Sequence, residues 1–447
     1  MIIPPKPPVP KIRKHLSADP LYALLKKRFE AIPDHRPKCT HPLGDVLQSA
    51  LALFSLKDPS LLAFDQRRSD GNLRSVFHIG QIPSDSQMRT VLDGVDPLQL
   101  RPAFNDVLRQ LQRGKVLERF VFYKGAYLLA LDGTGYFSSQ AIHCDSCLEK
   151  KSKDGTITYQ HQMLAAALVH PDHSEVFPLA PEPIQKQDGS TKNDCERNAA
   201  KRLLERIRAE HPYLNFIVLE DGLASNAPHI LLLKSLNMPF LLGAKPGDHA
   251  ALYAHVRAAY EDRMATLTGP INAAGVTWEI SFVNGVPLNN SHPDLLVNYL
   301  HYAENDANGE CLKCFSWVTD LPLIADDAPL LVRAGRARWK IENETFNTLK
   351  NQGYHYEHNY GHGQKNLTVV LAMLMMLAFL VDQVQQHCCP LFKAVRVKLG
   401  SKRLLWDNLR SHFRHFAFVS MRHLYLAILY DLGKEVPLPV PPESDTS

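Results

Sequence analysis

Three segments of this sequence place acids where metal-assisted chemistry would need them. Leu129-Ala-Leu-Asp132-Gly-Thr and Val218-Leu-Glu-Asp221-Gly each end an apolar run in an acid followed by Gly, and Arg338-Trp-Lys-Ile-Glu342-Asn-Glu carries a third acid in a helical pattern. An apolar run that stops abruptly at Asp-Gly reads as a buried strand emptying into a turn. A single Asp in that position usually does no more than cap the turn. Three acids on separated segments are another matter, because carboxylates gathered at strand ends repel one another unless a cation neutralises them. Mg2+, or Mn2+ in its place, suits such a set: it takes oxygen ligands and leaves positions open for phosphate oxygens. Two such ions, about 3.5–4 Å apart, can activate a water or a 3'-hydroxyl and stabilise the leaving oxygen in a phosphodiester displacement.

The cysteines offer a second chemistry. Cys144-Asp-Ser-Cys147 and Cys311-Leu-Lys-Cys314 each have the pair spacing of a zinc knuckle, and together they would make a four-cysteine Zn2+ site tying two distant segments. Buried or incidental thiols are the plain alternative. Cys39, Cys195, Cys388 and Cys389 show no partner pattern. Tyr354, Tyr356 and Tyr360, interleaved with His355, His358 and His362, suit either core packing or stacking on unpaired bases. The His spacing would allow a metal, but the Gly at 353, 361 and 363 leave no helix to align ligands there.

The elements that must position these groups can be read from the apolar period. Residues 16–120 show helical spacing: Leu21, Leu24, Leu25 and Phe29, then Val46 to Phe54, then Phe104, Val107, Leu108 and Leu111, with Ser84 capping a helix before Met88. From Ala126 the pattern becomes α/β. Strands over Ala126–Leu131, Thr156–Val169 and Glu175–Leu179 form an antiparallel meander turning at His170–His173. A helix opening at Asn193-Asp194, a strand Asn215–Leu219, a helix Asn226–Leu236 and a strand Phe240–Gly243 follow. Residues 248–322 look like a β-rich insertion with strands near Thr277–Val283 and Leu312–Val318, and helix resumes near Arg336. Leu367 to Val381 is apolar apart from Thr368, but these 15 residues fall short of the roughly 20 that span a bilayer, so a buried core helix is expected.

At this point the three acid-bearing segments, extended through Thr345-Phe346-Asn-Thr-Leu-Lys350, resemble the bacterial insertion-sequence transposases that carry an Asp-Asp-Glu triad and a Tyr-Arg-Glu-Lys helix. The resemblance implies an α/β fold with a ribonuclease-H-like (integrase-like) catalytic core over 121–247 and 323–390. The β-rich insertion 248–322 would interrupt that core. It would be flanked by a helical N-terminal region, 16–120, that could bind DNA, and a helical, basic C-terminal region, 391–434. Pro-rich and acidic tails, 1–15 and 435–447, are expected to be disordered. It implies that Asp132, Asp221 and Glu342 hold two Mg2+ (or Mn2+) ions, that Arg338 and Lys350 touch DNA phosphate, and that the partners are transposon ends and target DNA, bound by a homodimer. Gly335 stands where the family has Tyr, and one residue more than the family's spacing separates Glu342 from Lys350. A single π-bulge would absorb it. Glu344 is the rival third acid, but residues two apart on a helix point to opposite sides, and Arg338 lies on the face of Glu342.

Composition bounds these readings. The chain has 447 residues, 45% apolar and 21% charged, which excludes disordered, collagenous and coiled-coil classes. A formal charge of +4 does not itself announce a nucleic-acid partner, so the argument rests on local clusters: seven basic residues and one acid between Lys393 and Arg414, with Arg333, Arg336, Arg338 and Lys340 before Glu342, and Lys192, Arg197, Lys201 and Arg202 on a third segment. Eight Cys are too few for a disulfide scaffold. With no apolar signal at the N-terminus, a cytoplasmic, nucleoid-associated protein without a membrane partner is expected. A nuclease of the same fold that cuts without joining, and a DNA-binding derivative with an inactive site, are the alternatives.

Overall fold

The computed structural model describes residues 14–184, 186, 196–269 and 275–431. Most of both expected tails, together with Lys192, Asn193, Asp194 and Cys195, lies outside the described residues. The chain opens with six helices: α1 (Ala18–Glu30), α2 (Leu43–Leu56), α3 (Leu61–Asp65), α4 (Asn72–Phe77), α5 (Asp85–Asp93) and α6 (Arg101–Arg113). Ser84 caps α5 in a reciprocal capping box with Gln87. Every residue of α2 is buried.

The strands begin with β1 (Val121–Tyr123), β2 (Ala126–Ser139), β3 (Leu148–Lys151), β4 (Ile157–Val169), β5 (Phe177–Pro178) and β6 (Glu182–Ile184). Helix α7 (Glu196–Glu210), β7 (Phe216–Glu220), α8 (Ala227–Ser235) and β8 (Phe240–Gly243) alternate after them. Next come α9 (Ala250–Ala258), α10 (Tyr260–Arg263) and four more strands: β9 (Ala265–Gly269), β10 (Thr277–Asn289), β11 (His292–Asn305) and β12 (Cys311–Thr319). The expected third strand, Glu175–Leu179, is reduced to two residues, because Pro178 has no N–H to extend a ladder.

All twelve strands belong to one sheet, ordered β3-β4-β2-β7-β8-β12-β11-β10-β9, with β1 on β2 and β5 and β6 on β4. β2 pairs antiparallel with β4 and parallel with β7, and β7 is parallel to β8. The central strands are apolar on both faces: β7 is buried throughout, and Leu128 to Leu131 are all at most 1% exposed. The stretch 248–322 is not a body apart. β12 continues the sheet antiparallel to β8, with Trp317 opposite Gly243.

The remaining helices are α11 (Ala328–Ala337), a π-helical segment Ile341–Phe346, α12 (Asn347–Asn351), α13 (Leu367–Cys388), α14 (Pro390–Leu399), α15 (Lys402–His415) and α16 (Met421–Leu429); α11, the π segment and α13 pack on the sheet, while α14 to α16 pack on one another and on the N-terminal helices. Gly335 is dictated by packing, since a Cβ there would come within 2.4 Å of the Trp317 indole. Helix α13 is long and apolar enough to cross a membrane, but its apolar window is entirely buried inside the protein. Its N-terminus is held by Asp93, whose carboxylate accepts backbone N–H groups of Gln364, Lys365, Asn366 and Leu367 at 3.0–3.1 Å. Near its C-terminus Gln383 accepts from the Val176 N–H (3.1 Å) and Gln385 donates to the Leu16 carbonyl (2.9 Å).

A buried ion pair joins the first helices to the last. Lys57, left-handed at the C-cap of α2, reaches Asp382 on α13 and donates to the Ser55 carbonyl (3.0 Å), while its ammonium lies over the rings of Trp406 (3.9 Å) and Tyr354 (4.5 Å). The Tyr354 hydroxyl also donates to Asp382. Burial pushes the Lys57 ammonium down and the Asp382 carboxyl up, each opposed by the charge of the other.

Candidate active site

The register of β2 on β7 brings two of the acids side by side. The parallel pairing runs to Ala130 opposite Leu219, so Asp132 and Asp221 stand level, two residues further on. Neighbouring strands lie about 4.8 Å apart and level positions of a parallel pair point the same way, so both carboxylates leave the same face of the sheet. Asp132 Oδ1 accepts the Gly133 N–H (2.9 Å) and Asp221 Oδ1 accepts the Leu223 N–H (2.9 Å). Asp221 therefore caps a turn as expected, whereas Asp132 does not: the strand runs on past the expected turn to Ser139, because Gly133 and the residues after it stay paired with β4.

Glu342 comes from the π-helical segment, which packs on β2 and β4, and its charge acts on Asp132. The π turn begins one residue before Glu342 and takes up the extra residue before Lys350. It separates the two candidate acids: Glu342 acts electrostatically on Asp132, whereas Glu344 acts on Lys402 of α15. Arg338 donates to Asp132 Oδ2 (3.0 Å), with both side chains largely shielded from solvent. The residue expected to touch phosphate is therefore engaged with an acid. Lys350 pairs with Glu357 (2.7 Å).

The sequence reading missed Glu196. It occupies the first turn of α7, and its carboxylate lies over Gly133 so closely that a Cβ there would come within 2.2 Å of Oε1. Only the Gly after Asp132 hinted at such an approach. Asp132, Glu196, Arg197, Glu220, Asp221 and His229 line one cleft. Glu220 turns the other way and holds the buried His229 ring at 2.8 Å. Burial opposes the charged form of His229, yet Glu220 raises its pKa above the usual value.

The charges in this cleft are strained. Burial raises the Asp132 carboxyl, Arg338 pulls it back, and Glu342 pushes it up again. Burial also raises Glu196, and Asp132, Asp221 and Glu220 add to the effect. The folded protein therefore holds protons at these groups that the unfolded chain releases. The sign follows directly: stability falls as pH rises through the raised folded values, and is recovered as pH falls toward the unfolded carboxylate value. In chelator, the urea midpoint of the native chain is expected to drop as pH rises above the ordinary carboxylate range. That of Asp132→Asn/Glu196→Gln should be flatter. Equal slopes in both proteins would show that the acids do not repel.

The four-cysteine grouping is not formed. Cys311 and Cys314 are exposed on β12, whereas Cys144 and Cys147 converge with His161 and His362. The only two groups among the described residues whose His, Cys, Asp or Glu ligand atoms gather this closely are that one and His173–Glu175–His387. Cys147 holds the Cys144 thiol down to about 2, against the cost of burial and with help from His161 and His362, and Cys144 in turn pushes Cys147 up. Of the three histidines after the Glu helix only His362 takes part; Tyr354, Tyr356 and Tyr360 are buried in the core rather than open to bases. Much of the other basic surface is also occupied. Arg333 pairs with Asp172, Arg336 with Glu304 and Lys398 with Asp431; Lys340 donates to the His173 carbonyl and Arg410 to that of Lys57.

The fold is thus a mixed α/β sheet with Asp132 midway along β2 and Asp221 just beyond the parallel β7. Neither the protein-family models nor the curated proteins compared with the chain give a match. Among solved structures, a cryo-EM structure of the piggyBac transposase synaptic complex with hairpin DNA aligns with 97% of this chain and 87% of that one, at 12% identity and a TM-score of 0.38.

Proposed function

We propose that this chain is a DNA transposase of the Asp-Asp-Glu type, with a ribonuclease-H-like core, that cleaves DNA at insertion-sequence ends and joins them to a target. The observation that supports this reading is the register that sets Asp132 of β2 level with Asp221, the residue after β7, together with the Glu342 charge acting on Asp132. The strand order β4-β2-β7-β8, with antiparallel hairpin neighbours on one side and parallel crossovers on the other, supports the assignment of the core.

The donor set fits divalent magnesium or manganese. It consists of hard carboxylate oxygens with no soft ligand among them, and the Glu342 charge adds to burial in raising the Asp132 carboxyl. When bound by Asp132, Asp221 and Glu342, two such ions supply Lewis-acid stabilisation of the attacking and leaving oxygens of a phosphodiester. The chain's own groups do the rest. Arg338, paired with Asp132, stands beside the acids where a guanidinium would meet phosphate oxygens. Glu220 and His229 stiffen the end of β7 from below. Lys350, one turn beyond the π segment, offers a second phosphate contact at the cost of its partner Glu357.

The test is an assay with a labelled DNA end and an unlabelled target duplex in Mn2+ or Mg2+. Covalent transfer of label to the target is the expected result. Cleavage without transfer would make the protein a nuclease, and binding without either would make it an inactive derivative. Two protomers on paired DNA ends belong to the same proposal, and a single protomer per pair of ends would remove that part of it.

A further inference from the structure

We propose that Cys144, Cys147, His161 and His362 form a structural zinc site that fastens the segment after the Glu342 helix to the strand carrying Asp132. Zinc bonds of about 2.3 Å to sulfur and 2.0–2.1 Å to nitrogen, set tetrahedrally, put the two sulfurs about 3.8 Å apart and each sulfur about 3.6 Å from a nitrogen. The protein has Cys144 Sγ to Cys147 Sγ at 3.8 Å, Cys144 Sγ to His161 Nε2 at 3.4 Å, Cys147 Sγ to His161 Nε2 at 3.3 Å and Cys147 Sγ to His362 Nε2 at 3.6 Å. All four ligand atoms are buried and lie within 4.8 Å of one another. A disulfide would need the sulfurs at about 2.05 Å, and two unlinked thiols beside two imidazoles have no reason to adopt tetrahedral spacing.

The surroundings fit a metal rather than a chance meeting. The Cys144 N–H donates to Cys147 Sγ (3.4 Å), a contact that stabilises a thiolate in a knuckle turn. Thr368 Oγ1 lies 3.5 Å from His362 Nδ1, which leaves Nε2 as the inward atom. Phe137 packs on the His362 ring at 4.4 Å and Tyr136 faces that of His161 at 6.0 Å, an apolar shell that limits water access. Gly361 and Gly363, both at positive φ, turn the chain on either side of His362. The two cysteines follow β2 and His161 lies on β4, whereas His362 arrives from the segment between α12 and α13. The closed Cys2His2 set, with no open position, is that of a structural site.

The experiment is metal analysis of the full chain purified without added zinc, followed by replacement with Co2+. One zinc per chain is expected. Its cobalt form should show the intense visible bands of tetrahedral coordination and near-ultraviolet sulfur-to-cobalt absorption. Cys147→Ser and His362→Ala should lose the metal, with a melting temperature lower by about 5 °C or more. Cys311→Ser/Cys314→Ser should keep it, as should Asp132→Asn, so this site and the carboxylate site fail independently. Should either substitution unfold the chain, the cobalt spectrum of the native protein still decides. A wild-type chain that takes up neither zinc nor cobalt, or a cobalt form with only weak octahedral bands, overturns the proposal.

Discussion

Asp132→Asn is expected to reduce metal-dependent DNA cleavage by about a thousandfold or more, with folding and DNA binding kept. The change is isosteric and removes one ligand charge from the centre of the cluster. The amide oxygen can still accept from the Gly133 N–H, while the NH2 that replaces Oδ2 cannot accept from Arg338, so the strand contact survives and the Arg338 pairing is lost. Asp221→Asn and Glu342→Gln should behave alike, because each removes one charged ligand of the same shared set. Glu344→Gln supplies the internal contrast: its carboxylate answers to Lys402, so cleavage should stay within a fewfold of the native rate. Cleavage is read on a labelled DNA end, and binding by mobility shift in chelator. An Asp132→Asn protein that cuts at the native rate would remove the basis of the catalytic assignment.

The second large effect concerns stability. Lys57→Met leaves Asp382 buried without its cation, and Asp382→Leu leaves the ammonium stranded against Trp406 and Tyr354. Each single change is expected to cost about 3–5 kcal/mol, the range seen when one member of a buried pair is removed. The double variant should cost far less than the sum, because the desolvation that both charges impose disappears with them. Urea denaturation of the native chain and the three variants gives the cycle. Single variants within about 1 kcal/mol of the native chain would mean that water reaches the pair and screens it.

What the sequence could show followed from how local each signal was. Phe240–Gly243 was readable as a strand because a short apolar run between turn residues is a local pattern, and so was the cap at Ser84. The extra residue between Glu342 and Lys350 pointed to a π turn because helix geometry counts residues. Glu196 was not legible: its carboxylate enters the cleft from a helix more than sixty residues beyond Asp132, and nothing in its own neighbourhood marks it. The cysteines show the same limit. Spacing identified Cys144 and Cys147 as a pair, but the completing ligands come from a mid-strand His161 and a loop His362, and only the fold brings those together. The matching spacing of Cys311 and Cys314 arose on an exposed strand of the sheet's outer half. The pairing of Arg338 with Asp132 was not legible either, since it joins residues 206 apart that only the fold brings together.

The union of β12 with β8 has a mechanical consequence. Strands β9 to β12 cannot swing like a hinged flap, because they share ladders of backbone hydrogen bonds with the strands beneath the acids. A duplex pressing on that outer half would load a stiff lever, and the lever ends at Gly243, whose α-carbon abuts the turn that presents Asp221.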